Sequence, residues 1–449
     1  MESKRIAIVS IGSRGDVQPY CVLGRALADR GHKVVIAAEQ RLESLVVDEF
    51  RLPYRRIVGD STGGLFDPKF QAGLAKGSIV AIMKMTKEWK GKYKMDDILA
   101  SYVTALEGAD VIVSGGLCLA MSYAVAEKLD AAWVPFILGP TCPTTEFPVW
   151  ALSGLACGLR CLNKWTYNVL FKQLWKDEQV YINPWRTQVL ELPPITMPLG
   201  MLDVINTNER IRVLIGCSAL FCGPKARIPS DYDPRKIHLL GPIFAAPSPL
   251  PETATSFLNA ARAAGTPIIY LGFGSMPTAN PMGLLRLAID VCERVGCRAI
   301  VVAGWSALTS DEADALLTAN QTRLLVLPSI SHGALFPKVD CIVHHAGIGT
   351  CNASLISGTP QVPCPVLLDQ PHNAKVLVRL GVAPCALPFG KLAAPGLARA
   401  VQDILTNAKD IQARATAIGI SLRDECANAL AQYMQLITTA ESLNAAASS

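Results

Sequence analysis

Short apolar strands alternate with helices along most of this chain, and that alternation constrains the fold more than any other feature. In the first half, predicted strands at Arg5–Ile11 and Lys33–Ala38 flank a predicted helix at Val17–Arg30. Strands that alternate with helices form a parallel sheet covered on both faces. Further strands are predicted at Asp110–Ser114, Ala132–Leu138, Pro267–Phe273, Arg298–Ala303, Arg323–Leu327, Cys341–His344 and Gln361–Val366. Helices are predicted among them at Leu119–Lys128 and Pro281–Arg294.

The length of the chain and a proline-rich stretch indicate two domains. At 449 residues the chain is too long for a single hydrophobic core. Ala245–Pro251 carries three prolines in seven residues and is predicted to be a linker. We therefore expect an N-terminal domain at 1–243, a linker at 244–256 and a C-terminal domain at 257–449, each an α/β domain with a doubly wound sheet.

Composition excludes several classes of protein. A net charge of +5 argues against a nucleic-acid binder that depends on bulk positive charge. The fourteen cysteines lack the spacing of zinc ligands, which favours reduced cysteines in a cytoplasmic protein. Neither a signal peptide nor an apolar run of about 18 residues is recognisable. A dinucleotide oxidoreductase is excluded because no Gly-x-Gly-x-x-Gly follows the first strand.

A glycine turn joins the strand Cys341–His344 to a predicted helix and forms a candidate anion site. His345 opens the turn, Gly347 and Gly349 let it bend, and Thr350 lies where the helix begins. A helix N-terminus reached through glycines offers free N–H groups to an anion, and a histidine beside it adds a donor for a phosphate oxygen. One of the tandem histidines can equally be a core residue, and we assign that role to His344.

Nineteen residues after Thr350, Asp369 and Gln370 form a carboxylate–amide pair at the predicted end of a buried strand. Such a pair can exchange hydrogen bonds with the vicinal hydroxyls of a sugar. The alternative is a strand-end turn completed by Pro371. A phosphate site followed by a hydroxyl-binding pair indicates a nucleotide sugar as ligand.

These residues resemble a known family. His345–Thr350 with Asp369–Pro371 looks like the donor signature of inverting, UDP-sugar-using glycosyltransferases with the two-domain GT-B fold. Gly12–Tyr20 is similar to the opening motif of the sterol 3-beta-glucosyltransferase branch and of bacterial transferases that glycosylate antibiotic aglycones. The resemblance implies two Rossmann-like domains facing across a cleft, with the last helix, at about 423–443, packing back on the N-terminal domain.

The same resemblance implies an activity. A hexose, with glucose from UDP-glucose as the expected donor, would pass in a single displacement to a hydroxyl of a sterol, triterpenoid or similar hydrophobic acceptor. Neither a metal nor another cofactor is expected. The alternatives are a transferase acting on a polyketide, macrolide or phenolic natural product, a nucleotide-sugar epimerase on the same fold, and a catalytically silent lipid- or sterol-binding protein.

Asp16 is the candidate general base, which would take the proton from the acceptor hydroxyl as its oxygen attacks the anomeric carbon. It lies just past the first strand, at the edge of the sheet where ligands of open α/β sheets bind. The resemblance assigns it the same role. The plainer alternative is a cap of the helix from Val17, and a carboxylate at a helix N-terminus is expected to have a lowered pKa.

The remaining predicted contacts belong to the nucleotide-sugar donor. The resemblance implies that Ser275 contacts the diphosphate, that Trp305 lies near the nucleobase and that Ile330 gives the base backbone contacts. The segment Ser331–Phe336 departs from the family because it lacks the usual acid and aromatic residue. The full donor set is Ser13, Arg14, Gly15, Gly274, Ser275, Trp305, Ile330, His345, Gly347, Gly349, Thr350, Asp369 and Gln370.

Two segments are candidates for contact with hydrophobic partners. The first, from Pro140 to Trp185, is rich in aromatic residues and can form either an acceptor wall or ordinary helical core. The second, Lys84–Lys94, carries five lysines with Trp89 and Tyr93 among them. It can lie on an anionic membrane surface, or be a solvated loop.

Overall fold

The computed structural model describes residues 2–67, 69, 92–155, 159–274, 280–302, 310–406 and 408–444. The chain forms two compact units. The first unit contains Met1–Thr62, Glu88–Phe244 and Glu425–Ser449, and the second contains Gly63–Lys87 and Ala245–Asp424. Each unit is built on one parallel sheet, so the predicted α/β class with two doubly wound sheets is confirmed.

The first unit has a seven-stranded sheet in its described part, ordered β3-β2-β1-β4-β5-β6-β7, in which neighbouring strands are parallel. Its central strands are almost wholly buried because both faces carry helices. The strands are β1 Arg5–Val9, β2 Lys33–Glu39, β3 Tyr54–Ile57, β4 Val111–Ser114, β5 Ala132–Ile137, β6 Val213–Ile215 and β7 Ile237–Leu239.

The second unit has a five-stranded parallel sheet in its described part, ordered β10-β9-β8-β11-β12. The middle strand, β8, is buried along its whole length. The strands are β8 Ile268–Gly272, β9 Arg298–Val302, β10 Leu324–Leu327, β11 Cys341–His344 and β12 Gln361–Pro363.

The α-helices of the described residues are numbered here in chain order. They are α1 Arg14–Asp29, α2 Met95–Leu106, α3 Leu119–Leu129, α4 Arg160–Gln188, α5 Met201–Thr207, α6 Glu252–Ala263, α7 Pro281–Val295, α8 Asp311–Ala319, α9 His332–Leu335, α10 Ile348–Ser357, α11 Gln370–Arg379, α12 Ala394–Thr406, α13 Ala408–Cys426 and α14 Ala429–Thr438. No helix in these ranges has the length and hydropathy needed to cross a membrane.

The last helix, α14, packs on the sheet of the first unit. The Tyr433 hydroxyl accepts the Leu240 N–H at 3.1 Å and lies 2.5 Å from the carbonyl oxygen of Ile215. Its ring also packs against Phe136 of β5, at 4.8 Å between centroids. A buried tyrosine that contacts three separate segments fixes the position of this helix on the sheet.

Helix α1 begins three residues earlier than the sequence pattern predicts. Ser13 is its N-cap residue, in an extended conformation, and Asp16 occupies the third helical position. The carboxylate of Asp16 bonds back to Ser13, which forms a capping box. The helix therefore begins inside the Gly12–Tyr20 motif and includes Arg14, Gly15 and Asp16.

Candidate functional site

In the first unit, the candidate residues lie in the loop after β1 and in the first turn of α1. Strands β1 and β4 are neighbours in the sheet. After β1 the chain continues to β2, towards one edge of the sheet, and after β4 it continues to β5, towards the other edge. Ligands of open α/β sheets bind at such a switch point, beyond the carboxyl ends of the strands. Gly12 turns the chain there with φ +126, and a Cβ atom on it would lie 2.6 Å from Asp16 Oδ2. The loop thus requires glycine for its conformation and for the close approach of Asp16.

Asp16 both caps α1 and presents a proton-accepting oxygen. Its Oδ2 accepts the Ser13 N–H at 2.7 Å and the Ser13 hydroxyl at 2.8 Å. Both of these bonds go to Oδ2, so Oδ1 is the oxygen that would take a proton. The helix cap offered as the plainer interpretation is therefore present, and it is compatible with the predicted role as base.

The expected lowering of the Asp16 pKa is wrong. Neighbouring protein atoms displace water from the carboxyl group and raise its pKa above the usual 3.8, although the residue reaches the surface, and the hydrogen bonds from Ser13 only partly oppose that shift. The helix N-terminus does stabilise negative charge, but the loss of hydration outweighs it. A raised pKa makes the carboxylate a stronger base than the sequence analysis anticipated.

Glu39, which the sequence analysis did not single out, anchors this loop. It is buried at the end of β2, with 3% of its surface exposed. Its carboxylate accepts the Ser61 N–H at 2.6 Å, the Ser61 hydroxyl at 2.8 Å and the backbone N–H of Gly12. Burial raises its pKa against these hydrogen bonds. The sequence signal is a charged residue at the end of a mostly apolar strand.

The other residues of this motif have partners within the protein. The Arg14 guanidinium donates to both carboxylate oxygens of Glu49, at 2.5 and 2.6 Å, and to Gln18 at 3.1 Å. The Ser13 hydroxyl is bonded to Asp16, and Gly15 is exposed. A donor contact from Arg14 would therefore compete with its ion pair, and these predicted contacts stay predictions.

In the second unit, the structure brings together three predicted residues around one imidazole ring. His345 follows β11, and its ring lies between Gly274 and Gly347. A Cβ atom on Gly274 would lie 2.7 Å from His345 Cε1, and one on Gly347 would lie 2.4 Å from Nε2. Any side chain at either glycine would collide with the ring, so the two glycines define its position.

His345 is a neutral donor poised at a helix N-terminus. Burial lowers its pKa to about 4, and its Nδ1 is buried without a hydrogen-bond partner in the described part of the chain. Helix α10 starts at Ile348 with Gly347 as its N-cap, and no acidic residue occupies its first turn. Gly349 and Thr350 lie in that turn, where backbone N–H groups have no partner within the helix. An anion suits this arrangement.

His344 is a core histidine, as expected. It is fully buried, and burial lowers its pKa to about 3. Its Nδ1 accepts the Ala346 N–H at 3.1 Å, which places its proton on Nε2, where it donates to Gln361 Oε1 at 2.8 Å. The ring thus holds the turn that carries His345.

Asp369 and Gln370 lie at the start of α11 rather than at the end of a strand. Strand β12 stops at Pro363, since the prolines at 363 and 365 have no N–H to continue the ladder. Gln370 Oε1 accepts the N–H groups of Val366 and Leu367, at 2.8 and 3.1 Å, so only its NH2 group is left to meet a ligand. Asp369 Oδ2 accepts a hydrogen bond from Asn373 at 2.8 Å.

Two predicted donor contacts, Ser275 and Trp305, lie outside the described residues. Ile330 is half-buried against the apolar side chains between α6 and the sheet. In the segment that departs from the family, the His332 ring stacks on Phe336 at 4.4 Å and its Nε2 lies 3.1 Å from the Tyr270 hydroxyl. This histidine therefore packs within the second unit.

The aromatic segment from Pro140 to Trp185 mostly forms core. Phe147, Tyr167 and Trp175 are buried, and Trp175 packs against Gly200 so closely that a Cβ atom there would lie 2.4 Å from the ring. These three residues form core, the second of the two interpretations, whereas Trp165 is 50% exposed. In the lysine-rich segment Lys84–Lys94, Lys92 and Lys94 are exposed. Residues 84–91 of that segment lie outside the described ranges.

The cysteines of the described residues form no disulfide bond. The thirteen cysteines in these ranges are free. No group of three or more His, Cys, Asp or Glu side chains within them is placed to hold a metal ion.

Comparisons with known proteins cover both units. Residues 6–134 match the glycosyltransferase family 28 N-terminal domain, and residues 310–441 match the erythromycin biosynthesis protein CIII-like C-terminal domain. The chain is 28% identical to a sterol 3-beta-glucosyltransferase of Pichia angusta and 27% identical to the UDP-sugar-dependent glycosyltransferase 52 of Dictyostelium discoideum. These alignments cover 95% and 94% of the chain, but 33% and 25% of the two relatives, so the chain spans a third or less of their length.

A solved structure has the same fold along nearly the whole chain. The crystal structure of the glycosyltransferase VinC in complex with DTDP matches with a TM-score of 0.64 at 16% identity. The match covers 97% of this chain and 99% of VinC. The GT-B fold predicted from the sequence is thereby confirmed.

Proposed function

The chain belongs to the glycosyltransferases of the GT-B fold, and from that premise we propose that it transfers glucose from UDP-glucose to a hydroxyl of a sterol, triterpenoid or related hydrophobic alcohol. Relatives named as sterol 3-beta-glucosyltransferases support the sugar and the acceptor class. The observation that carries the proposal is the His345 ring held between Gly274 and Gly347 at the start of α10.

On the donor side, the proposed role of this site is to stabilise the leaving diphosphate. Charge builds on the diphosphate as the glycosidic bond breaks, and donors already fixed in position stabilise it without reorganisation. A neutral His345 donates one hydrogen bond, and the first N–H groups of α10 add others together with the helix dipole. Asp369 and the Gln370 NH2 group would bind sugar hydroxyls. We propose that this set supports transfer without a metal ion.

On the acceptor side, the proposed step is proton removal by Asp16. The acceptor oxygen attacks the anomeric carbon, its O–H proton passes to Asp16 Oδ1, and the bond between that carbon and the UDP oxygen breaks. Loss of hydration around the carboxyl group favours the protonated product of this step, since it raises the pKa of that group. One displacement at the anomeric carbon inverts its configuration.

The test is release of UDP from UDP-glucose in excess chelator, with and without acceptor. A matched pair of acceptors is a 3-hydroxysterol and its 3-keto analogue, which differ only in the group that would be glycosylated. Triterpenoids, macrolides and phenolics complete the panel, because the structural relative VinC shares only the fold. We expect release with the hydroxysterol and none above background with the ketone.

The other outcomes separate the rival functions. Release with macrolides or phenolics but not with sterols would transfer the proposal to natural-product glycosylation. UDP formation that is independent of any acceptor would indicate a hydrolase or an epimerase cycle. Tight UDP binding with no release under any condition would indicate a silent binding protein.

A further inference from the structure

We propose that Asn373 is a positioning residue, which holds the turn carrying His345 in place against Asp369. This inference rests on the proposed function, because it assigns a task within the same donor site. Asn373 lies in the second turn of α11 and is 3% exposed. Neither the sequence pattern nor the resemblance singles it out.

The side chain of Asn373 joins the two halves of the donor signature. Its Nδ2 donates to the carbonyl oxygen of Ala346 at 3.0 Å and to Asp369 Oδ2 at 2.8 Å. A primary amide has two N–H groups, so both are used, one on each half. The first partner adjoins the predicted diphosphate ligand and the second is a predicted sugar ligand.

The turn that Asn373 contacts is strained and held by side chains. Ala346 has φ +63, a left-handed conformation that residues other than glycine disfavour. The Ala346 N–H donates to His344 Nδ1, and the Ala346 carbonyl oxygen accepts a hydrogen bond from Asn373 Nδ2. His344 is in turn fixed by Gln361. Two side-chain contacts, one on each side of Ala346, therefore keep this residue in its unfavourable conformation.

The position of Ala346 determines where the neighbouring donor groups point. His345 precedes it and Gly347, the N-cap of α10, follows it. If the carbonyl of Ala346 loses Asn373, the strained φ can relax, and the His345 ring then leaves the narrow space between Gly274 and Gly347. The Asp369 carboxylate loses a partner at the same moment. Removal of one amide should thus weaken the diphosphate and sugar contacts together.

A purely structural role for Asn373 makes a different prediction. A buried amide that only satisfies a carbonyl would lower stability when replaced, with no specific effect on nucleotide affinity. The Ala346→Gly substitution distinguishes the two, because glycine adopts positive φ without penalty. With glycine at 346 the turn no longer depends on Asn373, so nucleotide affinity should recover in the double variant although the buried carbonyl remains unpaired.

The experiment is a calorimetric titration of UDP, with no acceptor, into the whole chain and its variants. The variants are Asn373→Leu, which keeps the approximate volume, and Ala346→Gly/Asn373→Leu. The matched control is Asn320→Leu, since Asn320 also donates its Nδ2 to a backbone carbonyl in this unit, that of Leu316 at the end of α8. Thermal unfolding of each variant is recorded alongside, and Asn373→Ser replaces the leucine variant if that does not fold.

We expect Asn373→Leu to raise the Kd of UDP at least tenfold, the double variant to recover at least threefold of that loss, and Asn320→Leu to bind within twofold of the native chain. The proposal is overturned if Asn373→Leu binds UDP within twofold of the native chain, or if the glycine brings no recovery. A native chain that binds no UDP would instead refute the donor half of the proposed function, whatever the variants do.

Discussion

The two units each place a loop and a helix N-terminus at the carboxyl edge of a parallel sheet, but the two edges differ in charge. After β1, the first turn of α1 is occupied by the protein's own carboxylate, since Asp16 bonds back to Ser13. After β11, the first turn of α10 contains no acid and is preceded by a neutral histidine. The first edge suits acceptance of a proton and the second suits an anion. One architecture thus offers opposite chemistries through a few residues.

The strongest expected effect tests the first edge. Replacing Asp16 with asparagine removes the proposed base and should lower transfer by about 10²- to 10⁴-fold. Stability should be unchanged or slightly increased, because the pKa of the carboxyl group is raised and an asparagine oxygen can still accept the hydrogen bonds from Ser13. The matched control is Asp48→Asn, at an exposed aspartate of the same unit. Transfer above a tenth of the native rate in Asp16→Asn would remove this residue from the mechanism.

The second effect tests whether the His345 ring, at the edge of the second unit's sheet, needs the space that Gly274 leaves for it. Gly274→Ala should destabilise the chain by about 2–4 kcal/mol and abolish measurable UDP affinity, because its Cβ atom would lie 2.7 Å from the His345 ring. Gly265→Ala is the matched control: it shares φ +63 but has nothing within 4 Å. That variant should lose only about 1 kcal/mol and keep its affinity. Equal affinity in both variants would show that the ring needs no such space.

The third effect is a dependence of stability on acid. The folded-state pKa values of His345 and His344, about 4 and about 3, lie below the ordinary 6.5. The unfolded chain therefore binds more protons, so stability is complete above pH 6.5 and falls as the pH drops from there towards 4 and 3. Each histidine contributes up to about 1.4 kcal/mol per pH unit. Urea titrations from pH 7.5 to 5, with His344→Gln as comparison, should show a smaller slope in the variant.

The smallest expected effect comes from Glu39, which anchors the loop at the first edge and should therefore affect that edge alone. Glu39→Gln keeps the size of the side chain but replaces one acceptor oxygen that faces Ser61 and Gly12 by an NH2 group. The loop that leads to Asp16 should loosen at a cost of about 1 kcal/mol, which corresponds to roughly fivefold slower transfer. UDP affinity should not change, because the diphosphate contacts proposed above, at His345 and the start of α10, belong to the second unit. A change in UDP affinity equal to the change in rate would contradict this separation.

The sequence predicted the fold and the phosphate-binding turn well because both depend on local pattern. The strand predicted at Cys341–His344 has the same bounds in the structure, and the glycines after His345 indicate a turn. The core role of His344 also followed from a tandem pair in which one ring had to face inwards. Periodicity and glycine chemistry act over a few residues, so they can be recognised without the structure.

What the sequence could not provide depends on contacts between distant segments. Glu39 acts through Ser61, 22 residues away, and Asn373 acts through Ala346, 27 residues away. The pKa of Asp16 was expected to be lowered, since the helix terminus is visible in the sequence and the loss of hydration around the carboxyl group is not. Asp369 and Gln370 were placed at a strand end because the apolar segment before them resembles a buried strand. The prolines in that segment end the strand's hydrogen bonding earlier, at Pro363.

The most direct test of the division between the two edges is a titration of UDP into the native chain, Asp16→Asn and His345→Ala. If the first edge handles the proton and the second the diphosphate, Asp16→Asn should bind UDP within twofold of the native chain. His345→Ala should bind at least tenfold more weakly, a loss of about 1.4 kcal/mol. Loss of UDP affinity in Asp16→Asn, or native affinity in His345→Ala, would contradict the account.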